Sequence, residues 1–276
     1  MNQNSIKFSV LLPVYIKDNP LFFSEAINSI LNQSIVPNEI VIVKDGPICN
    51  EINELILKLA LKMPKMFTII ELENNMGMGY AMNKGLHACK YDWVARMDSD
   101  DISRKNRFQT QVEYILSHPT IDVIGGQIEE FNTSPGDLKQ LRKLPKEHAA
   151  IKSFSKRRNP MNHMTVFFKK SKAIEVGGYW HQRILEDYHL WYQMLSINCA
   201  FINLDTVLVD ARIGNNMIGR RNSFSYFKIE FYLFKKMFDT GYINLLELLS
   251  AIIERFIMKL IPLKMLQYLY KNYLRK

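Results

Sequence analysis

The stretch Val94-Ala95-Arg96-Met97-Asp98-Ser99-Asp100-Asp101 is an apolar segment that runs directly into three carboxylates. Neighbouring carboxylates repel one another and raise each other's pKa. A divalent cation that prefers oxygen ligands removes this conflict, and it explains aspartates in place of cysteines or histidines. In an extended segment Asp98 and Asp100 share one face, so both can address one ion. Under the alternative interpretation Asp101 or Ser103 only caps the helix that begins near Arg104, and the other carboxylates are solvated. We favour a metal site, because capping leaves two carboxylates unexplained.

Short apolar runs alternate with helical patterns on both sides of this stretch. Strands are predicted at residues 8–15, 39–43, 67–72, 93–97, 122–128, 164–168 and 201–209, and helices at 21–33, 51–62, 80–89, 104–117 and 186–197. The strand at 164–168 is expected at a sheet edge. Such alternation is typical of a doubly wound α/β sheet with right-handed crossovers.

Groups that suit a nucleotide follow the first two predicted strands. In a parallel sheet the carboxyl ends of strands one, two and four meet, and ligands bind there. Main-chain groups of Pro13 and Val14 can pair with a base edge while the Tyr15 ring lies on its face. The carboxylate of Asp45 accepts hydrogen bonds only, which suits the N–H groups of uracil or guanine; alternatively Asp45 is a turn residue. Gly77 precedes a helix and allows close approach of backbone to a phosphate.

Composition narrows the class of protein and its partners. The 276 residues are 47% hydrophobic, which excludes a disordered chain, and the net charge of +9 indicates an anionic partner. Three widely spaced cysteines indicate neither a disulfide framework nor a zinc site. The sequence shows no signal-peptide pattern and no uncharged apolar window long enough to span a membrane. We therefore expect a soluble or peripheral protein in a reducing compartment.

An ordered set of motifs resembles the GT-A fold of family 2 inverting glycosyltransferases. In the first half the matching segments are Ser9–Tyr15, Ile42–Gly46, Asn75–Gly85 and Arg96–Ser103. In the second half Asn159–His163, Gly177–Tyr179, Leu185–Trp191 and Arg220-Arg221 resemble the branch that builds bacterial capsule, exopolysaccharide and O-antigen repeat units. The similarity spans residues 7 to 222. It departs at Met82, where many relatives carry an arginine.

The resemblance implies a Rossmann-like, mostly parallel sheet flanked by helices, with a C-terminal helical appendage. We expect a glycosyltransferase domain at 1–222, divided into a nucleotide-sugar-binding half, 1–128, and an acceptor and catalytic half, 129–222. Residues 223–276 would form the helical tail. The implied reaction is inverting transfer of a hexose from a UDP-sugar to a saccharide acceptor, carried on polyprenyl diphosphate at the cytoplasmic face of the inner membrane.

The resemblance also assigns roles to residues. A Mn²⁺ or Mg²⁺ ion would be held by Asp100 directly and by Asp98, which would contact the donor ribose or hold a metal-bound water. The predicted donor-binding residues are Pro13, Val14, Tyr15, Asp45, Gly77, Asn83, Arg96, Asp98, Ser99, Arg220 and Arg221. Inversion requires one general base, predicted to be Asp187 with Glu186 beside it. His163 and Trp180 are predicted on the acceptor side. Helix-start acids are the alternative interpretation of Glu186 and Asp187.

The C-terminal segment is aromatic, apolar and basic. Residues 245–261 approach the hydrophobicity of a membrane span, but Glu247, Glu254, Arg255 and Lys259 interrupt them. This pattern favours a helix lying on an anionic membrane surface. The alternative is an ordinary helical cap on the main domain.

Two other functions compete with glycosyl transfer. A sugar nucleotidylyltransferase uses a related sheet, but it requires a Gly-rich basic loop after the first strand, which residues 15–19 do not provide. A non-catalytic basic module that binds a nucleotide or lipid is the third possibility. Nucleic acid is not expected as a partner, because the acidic cluster would oppose phosphates and no base-stacking motif is recognisable.

Overall fold

The computed structural model describes residues 6–213 and 223–261, together with residue 265. Strands are β1 Phe8–Val14, β2 Glu39–Lys44, β3 Phe67–Glu71, β4 Trp93–Arg96, β5 Ile102–Ser103, β6 Val123–Phe131, β7 Gln140–Arg142, β8 Phe167–Lys169 and β9 Phe201–Arg212. Helices are α1 Pro20–Leu31, α2 Asn50–Lys62, α3 Met78–Ala88, α4 Arg107–Ser117, α5 His148–Ser155, α6 Lys170–Glu175, α7 Glu186–Ser196, α8 Phe224–Asp239 and α9 Leu245–Leu260. A 3₁₀ turn covers His163–Thr165.

The strands of the described residues form one sheet in the order β3-β2-β1-β4-β8-β6-β9-β5, with β7 paired to β6. β1 pairs in parallel with β2 and β4, and β2 pairs in parallel with β3. Every residue of β1 and β2 is buried, as expected for parallel strands covered by helices on both faces. The predicted α/β class and this parallel half are confirmed.

The edge-strand prediction for 164–168 is wrong. Residues 163–165 form the 3₁₀ turn, and β8 lies in the middle of the sheet, antiparallel to β4 and to β6. Phe167 and Phe168 are both fully buried, since helices cover both faces of the sheet here. A strand of three residues is too short to show this in the sequence pattern.

The predicted helix start at Arg104 is three residues early. Ile102 and Ser103 form β5, which pairs with β9, and α4 begins at Arg107. Arg104 extends the β5 contact to β9, because its Nη2 lies 2.7 Å from Asp210.

Two apolar clusters cover the two faces of the sheet. Alternate residues of β1 separate between them: Val10 and Leu12 pack with α1, α2 and α4, whereas Leu11 packs with α3 and α7. Period-two alternation of side chains in a strand produces this division. The sheet is thus held rigidly from both sides, and its ends are fixed in position.

The C-terminal helices pack on the second half of the domain. Leu233, Phe234 and Met237 of α8 are buried against Tyr188 and Tyr192 of α7. Within the described residues, none of the helices is both long enough and apolar enough to cross a membrane. The helical tail prediction is confirmed for the described part, and the contact with α7 matches the helical-cap alternative.

Candidate active site

The ends of β1, β2 and β4 meet at one edge of the sheet. Val14 lies opposite Lys44 and Leu11 opposite Arg96 in the parallel register. The segments that follow β2 and β4 remain hydrogen-bonded to β1, because Asp45 N donates to Val14 O at 2.8 Å and Met97 N donates to Leu11 O at 3.1 Å. The ends of the three strands therefore lie together, as predicted, and a ligand-binding crevice at this edge stays a prediction.

Asp45 anchors the glycine loop that precedes α3. Its two carboxylate oxygens accept hydrogen bonds from Met76 N at 2.7 Å and Gly77 N at 3.0 Å. Gly46 and Gly77 have φ of 81° and 91°, and a Cβ on Gly46 would lie 2.6 Å from Asn75 N. The Asp45 side chain therefore holds the loop at residues 74–77. Each oxygen still has a lone pair for a base N–H group, so the base contact stays a prediction.

The aspartates after β4 lie in three different environments. Asp98 forms an ion pair with Arg96. Asp100 is half-buried, and burial together with the charge of Asp98 raises its pKa to about 6. Asp101 is buried and accepts a hydrogen bond from Arg212 N at 2.8 Å, so it fastens the end of β9. The helix-cap interpretation of Asp101 is wrong, because α4 begins six residues later and no side chain caps it.

This donor set fits a hard divalent cation. The carboxylates of Asp98 and Asp100 present oxygens only, and the pKa of Asp100 is raised first by burial and then by the charge of Asp98, which a bound cation would offset. Among residues 6–213 and 223–261, no group of three His, Cys, Asp or Glu side chains is placed to hold a metal. Of the described residues, Asp98 and Asp100 would hold the ion, and a bound diphosphate would provide further ligands, which is the usual arrangement for Mg²⁺.

Two residues that sequence reasoning missed support the acidic segment. Arg212 donates from Nε to the carbonyl oxygen of Asp100 at 3.1 Å, with its guanidinium 3.7 Å from the ring centre of Phe22 and 4.5 Å from that of Phe131. A contact between residues more than a hundred positions apart leaves no signal in one sequence.

Asp18 is the second missed residue. Its Oδ2 accepts hydrogen bonds from Tyr15 N at 3.0 Å and from the Ser99 hydroxyl at 2.9 Å, which joins the end of β1 to the acidic segment. Burial raises the pKa of Asp18 to about 7, and the charges of Asp100 and Asp98 add to the rise. Ser99 therefore faces Asp18, and its predicted donor contact stays a prediction.

Arg96 is a buried cation between the acidic segment and the start of α7. The residue is 2% exposed, and no hydrogen-bond partner for its Nε is found within the described residues. Burial raises the pKa of Glu186 to about 8, the charge of Asp187 adds to the rise, and Arg96 opposes it. Arg107, fully buried, donates to the Arg96 carbonyl at 2.7 Å and holds the strand end in place.

Two neighbouring acids at the start of α7 differ in their exposure to solvent. Leu185, just before the helix, has a left-handed φ of 61°, which is costly for a branched side chain and typical of functional sites. Glu186 is buried and, with a pKa of about 8, protonated at neutral pH. Asp187 is half-buried, and its Oδ2 accepts a hydrogen bond from Asn159 Nδ2 at 2.5 Å. Of the two acids, Asp187 is the accessible one.

The predicted acceptor residues lie in an aromatic layer. His163 is 9% exposed, with Nε2 3.0 Å from the Tyr179 hydroxyl, and burial holds its pKa well below the usual range. Trp180 is stacked between His189 of α7 and Tyr232 of α8, with ring centres at 4.9 and 5.7 Å. Both acceptor roles stay predictions; the structure places Trp180 closer to solvent than His163.

Asn83 holds the loop that carries Trp180. Its Oδ1 accepts a hydrogen bond from Tyr179 N at 3.1 Å, and its Nδ2 lies 3.2 Å from His181 Nε2. A Cβ on Gly178 would lie only 2.1 Å from Asn83 Oδ1. The predicted donor contact of Asn83 stays a prediction, whereas its contacts with the loop that carries Trp180 are direct. Arg220 and Arg221 lie outside the described residues.

Comparison of sequences identifies the family. The model of "Glycosyl transferase family 2" matches residues 9–178. An uncharacterised glycosyltransferase of Haemophilus influenzae is 40% identical over 98% of this chain and 100% of its own length. The Escherichia coli UDP-Gal:alpha-D-GlcNAc-diphosphoundecaprenol beta-1,3-galactosyltransferase is 37% identical over 100% of this chain and 99% of its own. The amylovoran biosynthesis glycosyltransferase AmsE of Erwinia amylovora is 34% identical over 96% and 98%.

Solved structures share the fold. S. aureus TarS 1-349 superposes with a TM-score of 0.66 at 18% identity, covering 91% of this chain and 71% of TarS 1-349. The mannosyltransferase PcManGT from Pyrobaculum calidifontis, in complex with GDP-Man and Mn²⁺, superposes with a TM-score of 0.62 at 16% identity, covering 95% and 78%. These likenesses confirm the GT-A fold. With the family model and identities of 34–40% over nearly the whole length, they show that the chain belongs to glycosyltransferase family 2.

Proposed function

We propose that this glycosyltransferase is a metal-dependent, inverting enzyme that moves a hexose from a UDP-sugar to a saccharide carried on polyprenyl diphosphate. One observation carries the proposal: the buried Arg96 pairs with Asp98 and also acts electrostatically on Asp100 and on Glu186, the neighbour of the accessible Asp187, so the acidic segment and the start of α7 lie near one cation. Transfer requires groups that neutralise the donor diphosphate to lie close to a base that accepts the proton of the acceptor hydroxyl.

The donor half provides for the nucleotide and for the leaving group. Pro13 and Val14 present main chain at the strand end, and Tyr15 offers a half-buried ring beside it. Asp98 and Asp100 would hold Mn²⁺ or Mg²⁺, which neutralises the charge that develops on the departing diphosphate. Arg96, itself buried beside Asp98, adds fixed positive charge near the same site.

The acceptor half provides the base. Inversion is a single displacement, in which the acceptor oxygen bonds the anomeric carbon as its bond to the diphosphate breaks. The hydroxyl proton passes to a carboxylate oxygen of Asp187. Asn159 orients that carboxylate through the hydrogen bond to Oδ2. Glu186 keeps its proton at neutral pH, so it leaves one basic carboxylate at the helix start.

The acceptor and its location are inferred from a relative and from α9. The E. coli relative's name specifies a UDP-galactose donor and a GlcNAc-diphosphoundecaprenol acceptor. Exposed apolar side chains run along the whole of α9; they are Leu246, Leu249, Ile253, Ile257 and Leu260. A solvent-facing stripe of this kind suits the surface of an anionic membrane, here the cytoplasmic face of the inner membrane.

Liposome flotation tests the membrane contact. We expect Leu246→Glu/Leu249→Glu to release the protein from vesicles that contain phosphatidylglycerol. The control Leu61→Glu/Leu116→Glu alters leucines of comparable exposure, 83% and 52% against 77% and 48%, on other helices. Equal flotation of both variants would contradict the membrane assignment.

Isothermal titration with UDP, GDP and CMP, with and without Mn²⁺, tests the function as a whole. We expect UDP to bind best and to require Mn²⁺ for full affinity. A nucleotidylyltransferase would instead bind a nucleoside triphosphate, and a non-catalytic module would show no metal-dependent preference. A screen of UDP-glucose, UDP-galactose and their N-acetyl forms against a lipid-linked acceptor then identifies the sugar.

A further inference from the structure

A groove lies between the C-terminal end of α5 and α9, outside the site described above. Its volume is about 660 Å³, and its lining residues are Arg157, Ser250, Ile253, Glu254, Ile257 and Met258. A second hollow of about 480 Å³ adjoins it, shares Arg157 and Glu254, and adds Arg158. Two guanidinium groups and an apolar wall therefore border one continuous depression.

The two arginines at the rim of the groove make long or solvent-exposed polar contacts. Arg157 Nη2 lies 3.2 Å from the Ser250 hydroxyl, and Arg158 Nη2 lies 3.3 Å from Glu254 Oε1. The side chains of Arg158 and Glu254 are 48% and 38% exposed, so their ion pair adds little stability and can exchange for another anion. Two adjacent guanidinium groups match the paired oxygens of a diphosphate.

The wall opposite the arginines is apolar and exposed. Ile253 and Ile257 are 57% and 51% exposed, and Met258 lies beside them. Contiguous apolar surface of this kind marks a place where an apolar ligand or a membrane is bound. The groove thus joins an anion-binding rim to a surface for a hydrocarbon chain.

The groove begins next to the proposed base. Arg158 directly precedes Asn159, whose Nδ2 lies 2.5 Å from Asp187 Oδ2. The Tyr188 hydroxyl donates to Ser155 O at 2.6 Å, which fixes the start of α7 on the end of α5. The residues that directly precede Asn159 thus carry two guanidinium groups, and the groove that these groups line also has an apolar wall. A lipid-linked sugar presents a hydroxyl, then a diphosphate, then an isoprenoid chain.

We propose that Arg157 and Arg158 bind the diphosphate of the acceptor and that Ile253 and Ile257 bind the first units of its isoprenoid chain. This inference rests on the proposed function and identifies where the acceptor's lipid part lies. The occupant is a diphosphate joined to an isoprenoid; a bulk phospholipid headgroup is the competing occupant that the experiments exclude or establish.

Binding of farnesyl diphosphate to the full chain tests the groove independently of activity. We expect the wild type to bind it better than farnesol or inorganic pyrophosphate, and Arg157→Gln/Arg158→Gln to bind it about tenfold more weakly. The control Lys146→Gln/Lys152→Gln removes two other charges, one of them on α5, and should bind like the wild type. Ile253→Gln should weaken farnesyl diphosphate but not pyrophosphate. Equal affinities for the wild type and the double arginine variant would overturn the proposal.

Kinetics with two acceptors separate binding from a merely structural role. One acceptor carries the sugar on an isoprenoid diphosphate, and the other carries it on an alkyl chain without phosphate. We expect the double arginine variant to raise KM about tenfold for the first acceptor only, with kcat unchanged. Equal losses on both acceptors would show that the arginines act through Asn159, and unchanged KM with lost phosphatidylglycerol binding would assign the groove to bulk phospholipid; either result overturns the proposal.

The two proposals fail in different ways. If the wild type transfers sugar to neither acceptor, the proposed function is wrong, and the farnesyl diphosphate titration still decides for or against the groove.

Discussion

The two halves of the molecule hold their functional groups by different means. On the donor side, Asp45 and Asp98 follow buried parallel strands and are placed by the backbone of the sheet. On the acceptor side, Asp187 follows a left-handed Leu185 and is held by the side chain of Asn159. The strands are therefore expected to keep the donor-side geometry when most single side chains change, with Arg212 as the exception tested below, whereas the acceptor side depends on a few specific contacts.

The base is the strongest test of this division. Asp187→Asn should lower kcat by about 10²–10⁴-fold, because the hydroxyl proton loses its acceptor. UDP and Mn²⁺ affinities should stay within twofold of the wild type, since Asp98 and Asp100 are untouched. Calorimetry and initial rates measure the two quantities, with Asp205→Asn, an exposed acid of β9, as the control. Retained turnover, or a matching loss of UDP affinity, would contradict the assignment.

Arg212 tests whether the donor side also has one indispensable tertiary contact. Arg212→Met removes the hydrogen bond to the Asp100 carbonyl while leaving a side chain between Phe22 and Phe131. We expect the Mn²⁺ concentration for half-maximal activity to rise about tenfold.

Loss of the cation–π contacts of Arg212 should also lower the free energy of unfolding by about 1–2 kcal/mol. Arg212→Lys keeps the charge, so its Mn²⁺ requirement and its free energy of unfolding should lie between those of the wild type and of Arg212→Met. A fall in thermal stability without any change in Mn²⁺ dependence would leave Arg212 a structural residue.

Trp180 tests whether acceptor binding can be weakened without any change in donor binding. Trp180→Ala should raise the acceptor KM several-fold, about the effect of losing one aromatic contact, with the UDP-sugar KM unchanged. The reason is that the Trp180 ring packs between His189 of α7 and Tyr232 of α8, the helices of the acceptor side. Trp180→Phe should retain most of the affinity. A donor KM that rises as much as the acceptor KM would remove the distinction between the two sides.

For Glu186 we expect a pH dependence of stability. Burial raises its pKa from 4.5 to about 8, so the folded protein retains a proton that the unfolded chain has lost. Stability from this group is complete below pH 4.5 and declines as the pH rises to about 8. Urea unfolding of the metal-free protein from pH 5 to 9 should show a shallower decline for Glu186→Gln than for the wild type. Parallel curves would contradict a buried neutral Glu186.

The sequence predicted the donor side better than the acceptor side for a physical reason. β1 and β2 are continuous buried runs and β4 is a short apolar one, so the residues at which these strands end could be predicted, and with them the positions of Asp45 and the acidic segment. β8 has three residues and Arg212 reaches Asp100 across the fold, so neither left a local pattern.

The remaining misses have the same origin. Asp18 meets Ser99 only because β1 and β4 are neighbours in the folded sheet. The tail was predicted as amphipathic helix from its composition, but its contact with Tyr188 depends on which faces of α7 and α8 meet. Periodicity gives the apolar face of a helix and not the face of its partner.

The account depends on a cation held by the acids that follow β4. The most direct measurement is the affinity of UDP for the wild type and for Asp100→Ala, each in Mn²⁺ and in chelator, by isothermal titration. We expect Mn²⁺ to strengthen UDP binding at least about tenfold in the wild type and not in the variant, while the two proteins bind UDP alike in chelator. The same gain from Mn²⁺ in folded Asp100→Ala would contradict the account.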